Sequence, residues 1–192
     1  MRTSIFAIGA SALAFMGTFA VGELTSDEIV DTIDSLKTDT AALQSIAATI
    51  NFVNEIDYLL GRGPVPALID GFNNLGTTTN LTNTRILGTD PFEDEEEADA
   101  VEDAFGVFAS ALQTVLYTMD SKAALFRLVP AIGGDLIKSL RGLEAALNTF
   151  ATHLKDVVAN FEEQVEFMET FINDLDHLID TTVDTFNGIS IS

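Results

Sequence analysis

The sequence contains no cysteine and no tryptophan, only two histidines, and nine basic residues against 30 acidic ones. Each shortage removes a class of function. Without thiols there is no disulfide, no thiolate nucleophile and no cysteine-based metal site, so a hydrophobic core alone must hold the fold, which 192 residues can build. The formal charge of −21 opposes binding to nucleic-acid backbones and to anionic leaflets, and keeps a soluble particle dispersed by self-repulsion. Strand signals are missing too, because no stretch alternates with period two for long enough. The expected class is all-α.

What the chain has in quantity is apolar surface at helical spacing, with a mean hydropathy of +0.27. Arg2 followed by the uncharged run Ile5 to Phe19 and the small-residue site Thr18-Phe19-Ala20 reads as a secretory signal peptide over residues 1–20. The run is short for a bilayer span and no basic stop-transfer cluster follows it. Its removal takes away only Arg2 among the charges, so the mature chain, residues 21–192, is one unit more negative still. One helical domain is expected there, secreted and monomeric.

Thr25-Ser26-Asp27-Glu28 reads as a capping box opening a first helix, which the apolar positions Ile29, Ile33, Leu36, Leu43, Ile46, Ile50, Val53 and Leu60 carry to Gly61. Val65, Leu68, Ile69, Phe72, Leu75, Leu81 and Ile86 keep a helical phase weakened by Gly71, Gly76 and the threonines 77–79. The acidic run from Glu93 to Glu97 lacks the alternating oxygen ligands and central glycine of a calcium loop, and suits a helix N-terminus. A third helix follows through Val101, Phe105, Phe108, Leu112, Val115, Leu116 and Met119. Leu125 to Phe150 gives a fourth, broken or kinked near Pro130 and Gly133-Gly134, and the stretch Ala151 to Phe186 a fifth. The expectation is a five-helix, up-and-down-like bundle.

A search for chemistry yields little. His153 and His177 are the only imidazoles and no nucleophile elbow accompanies them. Asp174-x-x-His177 echoes the spacing of di-iron bundles, but those need two such motifs and further inward carboxylates. No enzyme, metal or cofactor is expected. Asn80-Leu81-Thr82 is a glycosylation sequon, with Asn80 facing water if used.

The last stretch is more informative. Its rows Leu154, Phe161, Met168, Leu175 and Val158, Val165, Ile172, Ile179, Phe186, widened by Val157, Phe171 and Leu178, make a face broader than a two-stranded seam needs. Small or hydroxylated residues, Thr40, Ala47, Ser139 and Ala146, stand on rows opposite these long ones. Such a bundle either crosses closely at the small residues or leaves a gap. An empty gap of about 400 Å³ would cost about 10 kcal/mol, the order of a whole domain's stability, so it must collapse or be filled by something apolar. Gln164, on the row Val157, Phe171 and Leu178, is the long polar residue expected inside. It either bonds Thr40 or Ser139 or, with Ser139, holds a lipid carboxylate. The candidate ligand contacts are Gln164, Ser139, Thr40, Phe108, Leu112, Phe161, Met168, Phe171 and Leu175.

The order of these features, with the segments Leu112-Gln113-Thr114-Val115-Leu116, Lys122-Ala123-Ala124-Leu125-Phe126 and Leu143-Glu144-Ala145-Ala146-Leu147-Asn148-Thr149-Phe150, resembles the fungal hydrophobic surface-binding protein A family, which includes the cell-wall galactomannoprotein lipid-binding domains. The resemblance implies a secreted five-helix bundle that adsorbs to hydrophobic surfaces and, in some members, holds a fatty acid in a central apolar tunnel. Members built into the cell wall tend to carry long serine- and threonine-rich tails, and this chain stops shortly after Phe186. Two functions are therefore expected in competition: a lipid carrier, or a surface-coat mannoprotein acting through exposed apolar faces.

Overall fold

The computed structural model describes residues 24–51, 62–126 and 131–190; the expected leader and the pattern positions Val53, Leu60, Leu128 and Pro130 lie outside them. Helix α1 is Ser26–Thr49, α2 Pro64–Ile86, α3 Glu95–Ser121, α4 Ala123–Phe126, α5 Ala131–Val157 and α6 Glu162–Ser190. The helices thus number six among the described residues, not five, because the expected fourth helix is divided into a single turn, α4, and the long α5.

The start signals act as their chemistry dictates. Thr25 accepts from the Glu28 amide at 3.3 Å and Glu28 Oε2 accepts from the Thr25 amide at 3.1 Å, so two orphan donors of α1 are satisfied reciprocally. Pro64 opens α2 at a position where its missing N–H costs nothing. Asp94 caps α3 through the Glu96 amide at 3.0 Å, with acids in the first turn facing the helix dipole. Helix α2 runs unbroken through its glycines and threonines. Thr77, Thr79 and Thr82 return their hydroxyls to the carbonyls of Asn73, Leu75 and Thr78, so these side chains sit inside the helix without competing for its ladder.

Two boundaries differ from the sequence pattern, and both have tertiary causes. Helix α1 stops at Thr49, not near Gly61: Ile50 is extended, and Lys122 donates to the Ala48 and Ile50 carbonyls at 2.6 and 2.7 Å, capping the end with a cation from the turn after α3. Residues Ala151 to Val157 belong to α5. The turn falls at Val158–Phe161, where Asn160 donates to the Phe92 carbonyl at 2.8 Å and the Phe92 amide donates to the Val157 carbonyl at 2.8 Å.

The five long helices form a ring in the order α1, α2, α5, α6, α3, and every substantial contact between long helices is between ring neighbours. The chain reverses direction at each long helix, but the ring is not a plain up-and-down bundle. Contacts between Gln44 and Thr118, Asn83 and Ala146, and Gln164 and Asp99 belong to the parallel pairs α1–α3, α2–α5 and α3–α6. Only α1–α2 and α5–α6 are antiparallel neighbours. The α2–α3 connection therefore crosses one end of the ring, where Phe92 is buried, and the connection through α4 crosses the other, beside Lys122. These are called below the Phe92 end and the Lys122 end.

Candidate functional site: the interior of the helix ring

A ring of five helices is geometrically different from a four-helix bundle. Helices about 10 Å across, in contact at 8–10 Å, have their axes about 8 Å from the ring centre, leaving an axial column about 6 Å wide for long inward side chains or something else to fill.

Seam contacts identify the inward rows. On α2, Gly71 and Arg85 mark the side toward α1 and Gly76 and Asn83 the side toward α5, so Leu68, Leu75, Thr79 and Ile86 between them project to the axis. On α1, Thr32 and Leu43 face α2 while Ser26 and Gln44 face α3, which leaves Ile29, Leu36, Thr40 and Ala47 inward. The same reading gives Phe105, Phe108, Leu112 and Met119 on α3, Leu136, Leu140, Leu147 and Leu154 on α5, and Met168, Leu175, Ile179 and Phe186 on α6. All of these are buried. The rings of Phe105, Phe108 and Phe150 pack edge-on or tilted, with centroids 6.2–6.3 Å apart, toward the Phe92 end, and the Lys122 half is mainly aliphatic.

Among the described residues the axial rows are almost free of polar atoms, and their exceptions are hydroxyls. Thr40 and Thr79, both fully buried, donate to the Leu36 and Leu75 carbonyls at 2.8 Å. From the pairing of α1 with α2 they stand within about one helical turn, 5 Å, of each other along the axis. Asn83, one turn from Thr79, spends one N–H on the Ala146 carbonyl at 3.0 Å, while its buried Oδ1 has no partner.

Of the residues expected from the sequence, Thr40, Phe108, Leu112, Met168 and Leu175 stand together on the axial rows. Phe171 is half-buried in the α3–α6 seam against Phe167, 4.6 Å between centroids, and both rings reach Gly106, where a Cβ would lie 3.1 Å from Phe167. Phe161 is half-buried in the α5–α6 turn. Ser139 faces the α2 seam and donates to its own helix at Leu136, 2.8 Å. Gln164 is buried as expected, but its partner is neither Thr40 nor Ser139: it donates to Asp99 Oδ1 at 2.6 Å across the α3–α6 seam. Ser139 lies near the opposite end, roughly 25–30 Å away along the axis, so the two do not form one site. Asn80 is exposed, and Thr82 of its sequon is buried.

Thr79 and Asn83 were missed. The threonine run weakens the helical signal, yet Thr79 continues the row Leu68, Leu75, Ile86, and that phase was the signal that could have found it.

No family model and no curated protein matches the chain. The crystal structure of Afmp4p in complex with palmitic acid matches it with a TM-score of 0.72 at 14% sequence identity, over 84% of this chain and 99% of that one. The two chains share a fold. At that identity the likeness carries no residue-level correspondence, and the palmitic acid is a property of Afmp4p.

Proposed function

We propose that this chain is a non-enzymatic carrier that sequesters one long-chain fatty acid or similar lipid along the axis of its helix ring. The observation that carries the reading is the closed ring of five helices with apolar inward rows, in a fold that in Afmp4p accompanies palmitic acid. Affinity would come chiefly from burying the acyl chain, at about 0.8 kcal/mol per methylene. Isothermal titration with palmitic acid, backed by native mass spectrometry, should find one or two lipids per monomeric chain. The absence of any saturable lipid binding would overturn the proposal.

Secretion with loss of residues 1–20 belongs to the same proposal. N-terminal sequencing of protein from the medium should begin near Val21 or Glu23, and a start at Met1 would refute it.

A surface-coat role has an observation of its own. Between Asp103 and Asp120 helix α3 carries no charge, and neither does α1 from Thr40 to Thr49; Val107 and Tyr117 of α3 are well exposed, as is Ala48 of its neighbour α1. In so acidic a chain such a face can meet an apolar surface without desolvating carboxylates. Val107→Glu with Tyr117→Glu should abolish adsorption to wax while leaving palmitic acid binding intact; unchanged adsorption would assign the coat role elsewhere.

A further inference from the structure

We infer that the ring interior receives the ligand's polar head as a neutral hydrogen-bond donor, an alcohol or a protonated carboxylic acid, among the buried acceptors Thr79 and Thr40 on the axial rows and Asn83 at the edge of the α2–α5 seam beside them. The inference rests on the carrier reading above and specifies the chemistry of its ligand.

Three observations converge on it. The first is the direction of the internal hydrogen bonds. The Thr40 and Thr79 hydroxyls have each given their hydrogen to a carbonyl of their own helix, so what they still offer is lone pairs. The second is the Asn83 amide. Its nitrogen reaches the Ala146 carbonyl, and its oxygen is buried with no partner, in a residue only 5% exposed. An amide oxygen without a donor is costly to bury, and a ligand O–H one turn from Thr79 would relieve that cost.

The third observation concerns charge. None of the basic residues among those described is buried. Lys155 pairs with Glu169 at 2.9 Å, Arg141 with Glu144 and Asp180 at 2.8 and 2.5 Å, and Lys37 with Asp34, all on outer faces. Lys122 is committed to the α1 carbonyls. A carboxylate drawn into the ring would meet oxygen lone pairs and the field of an acidic chain, with no cation opposite it. A hydroxyl head suffers neither penalty. From Asn83 to the Lys122 end the ring runs about 25 Å, lined by Leu75, Leu140, Leu112, Leu136 and Leu68, which gives an acyl chain an aliphatic path.

The test compares hexadecanol, methyl palmitate and palmitic acid by competition against a fluorescent lipid probe, in the full chain and in Asn83→Leu and Thr79→Val. Hexadecanol should bind about tenfold more tightly than methyl palmitate, which has the same chain length and no donor. That preference should vanish in Asn83→Leu and shrink in Thr79→Val, with methyl palmitate affinity held. Palmitic acid should bind more weakly at about pH 8 than at about pH 5, since only the protonated form carries the donor. If palmitate at about pH 8 outbinds hexadecanol, or if both variants lose all three ligands equally, the donor-head inference is overturned and the carrier reading stands. If none of the three ligands competes, the carrier reading itself fails, and this inference with it.

Discussion

The two ends of the ring are closed by different means. At the Phe92 end the connections are tied to one another: Leu24 donates to Thr89 at 3.2 Å, Ser26 to Glu97 at 3.2 Å, Phe92 to Val157 and Asn160 to Phe92 at 2.8 Å, and Gln164 to Asp99 at 2.6 Å. Beneath this lattice lies the Phe105, Phe108 and Phe150 cluster. At the Lys122 end, among the described residues, Lys122 bonds α1, Gln44 donates to Thr118 at 3.1 Å and Thr182 donates to Asp120 at 3.2 Å, above a mostly aliphatic interior. Among the described residues, one end is bonded through amides, hydroxyls and carboxylates over interlocked rings, and the other through the Lys122 cation over mainly aliphatic chains. Leucines repack around a guest more readily than interlocked aromatic rings do, so on the proposed carrier reading the ligand's tail would lie in the Lys122 half.

The largest effect that could break this contrast is in the aromatic cluster. Phe105→Ala should lose about 3–5 kcal/mol in urea unfolding, whether or not palmitic acid is present. In Leu140→Ala, on the aliphatic side, a smaller part of the loss should remain once lipid is added, because the ligand occupies part of the vacated space. Equal recovery by lipid in both variants would mean that the halves do not differ.

Lys122→Met comes next. It leaves the Ala48 and Ile50 carbonyls to water and should cost about 1–2 kcal/mol, less than a fully buried charged bond because Lys122 is half-exposed. Hydrogen exchange should quicken in the last turn of α1 and stay unchanged at its capped start. Exchange that quickened along all of α1 would show that Lys122 supports the whole helix.

How much of this was legible in the residues can be judged from the same contrast. The Phe92 end begins with local signals, the Thr25 to Glu28 box and the Asp94 cap, and those are readable because the partners lie within three residues of each other. The turn at Val158–Phe161 and the stop at Thr49 were not readable: each is made by a partner more than sixty residues away, Phe92 for Asn160 and Lys122 for Ile50. Ring order was hidden for the same reason, since periodicity gives a helix its face and says nothing of which neighbour covers it. The inward apolar rows were legible down to single positions such as Phe108, Leu112, Met168 and Leu175. Gln164 was legible as buried but not as the partner of Asp99, because a stripe about 60° off the axis looks the same in sequence as one on it.

Gln164→Leu sharpens that last point at a smaller scale. Losing one bond to a carboxylate in a partly wet seam should cost about 0.5–1.5 kcal/mol and should leave the ratio of palmitic acid to hexadecane binding unchanged. A tenfold fall in that ratio would return Gln164 to the ligand site.

The smallest expected effect is the response to pH, and its sign follows from partly desolvated acids at each end. Glu102, near the Phe92 end, holds its proton above the usual carboxylate range, first because of burial and then because Asp99, Asp103 and Glu163 stand near it. Asp120, near the Lys122 end, is raised by burial against a lowering bond from Thr182. Half-buried Asp176 and the more exposed Asp39 are raised chiefly by desolvation as well. For each group the folded state binds the proton more tightly than the unfolded chain. Stability should therefore rise as pH falls from neutrality through the raised folded values, and the gain is complete once pH reaches the unfolded values near about 4. The urea midpoint should move upward between about pH 7 and about pH 4.5, and the rise should be smaller in Glu102→Gln and in Asp120→Asn. Salt separates the two ends: the part of Glu102's shift that comes from its acidic neighbours is screened, whereas desolvation at Asp120 is not, so added salt should diminish the effect of Glu102→Gln and leave that of Asp120→Asn in place. A midpoint that falls steadily over this range would mean that ion pairs such as Arg141 with Asp180, lost on protonation, outweigh the raised acids.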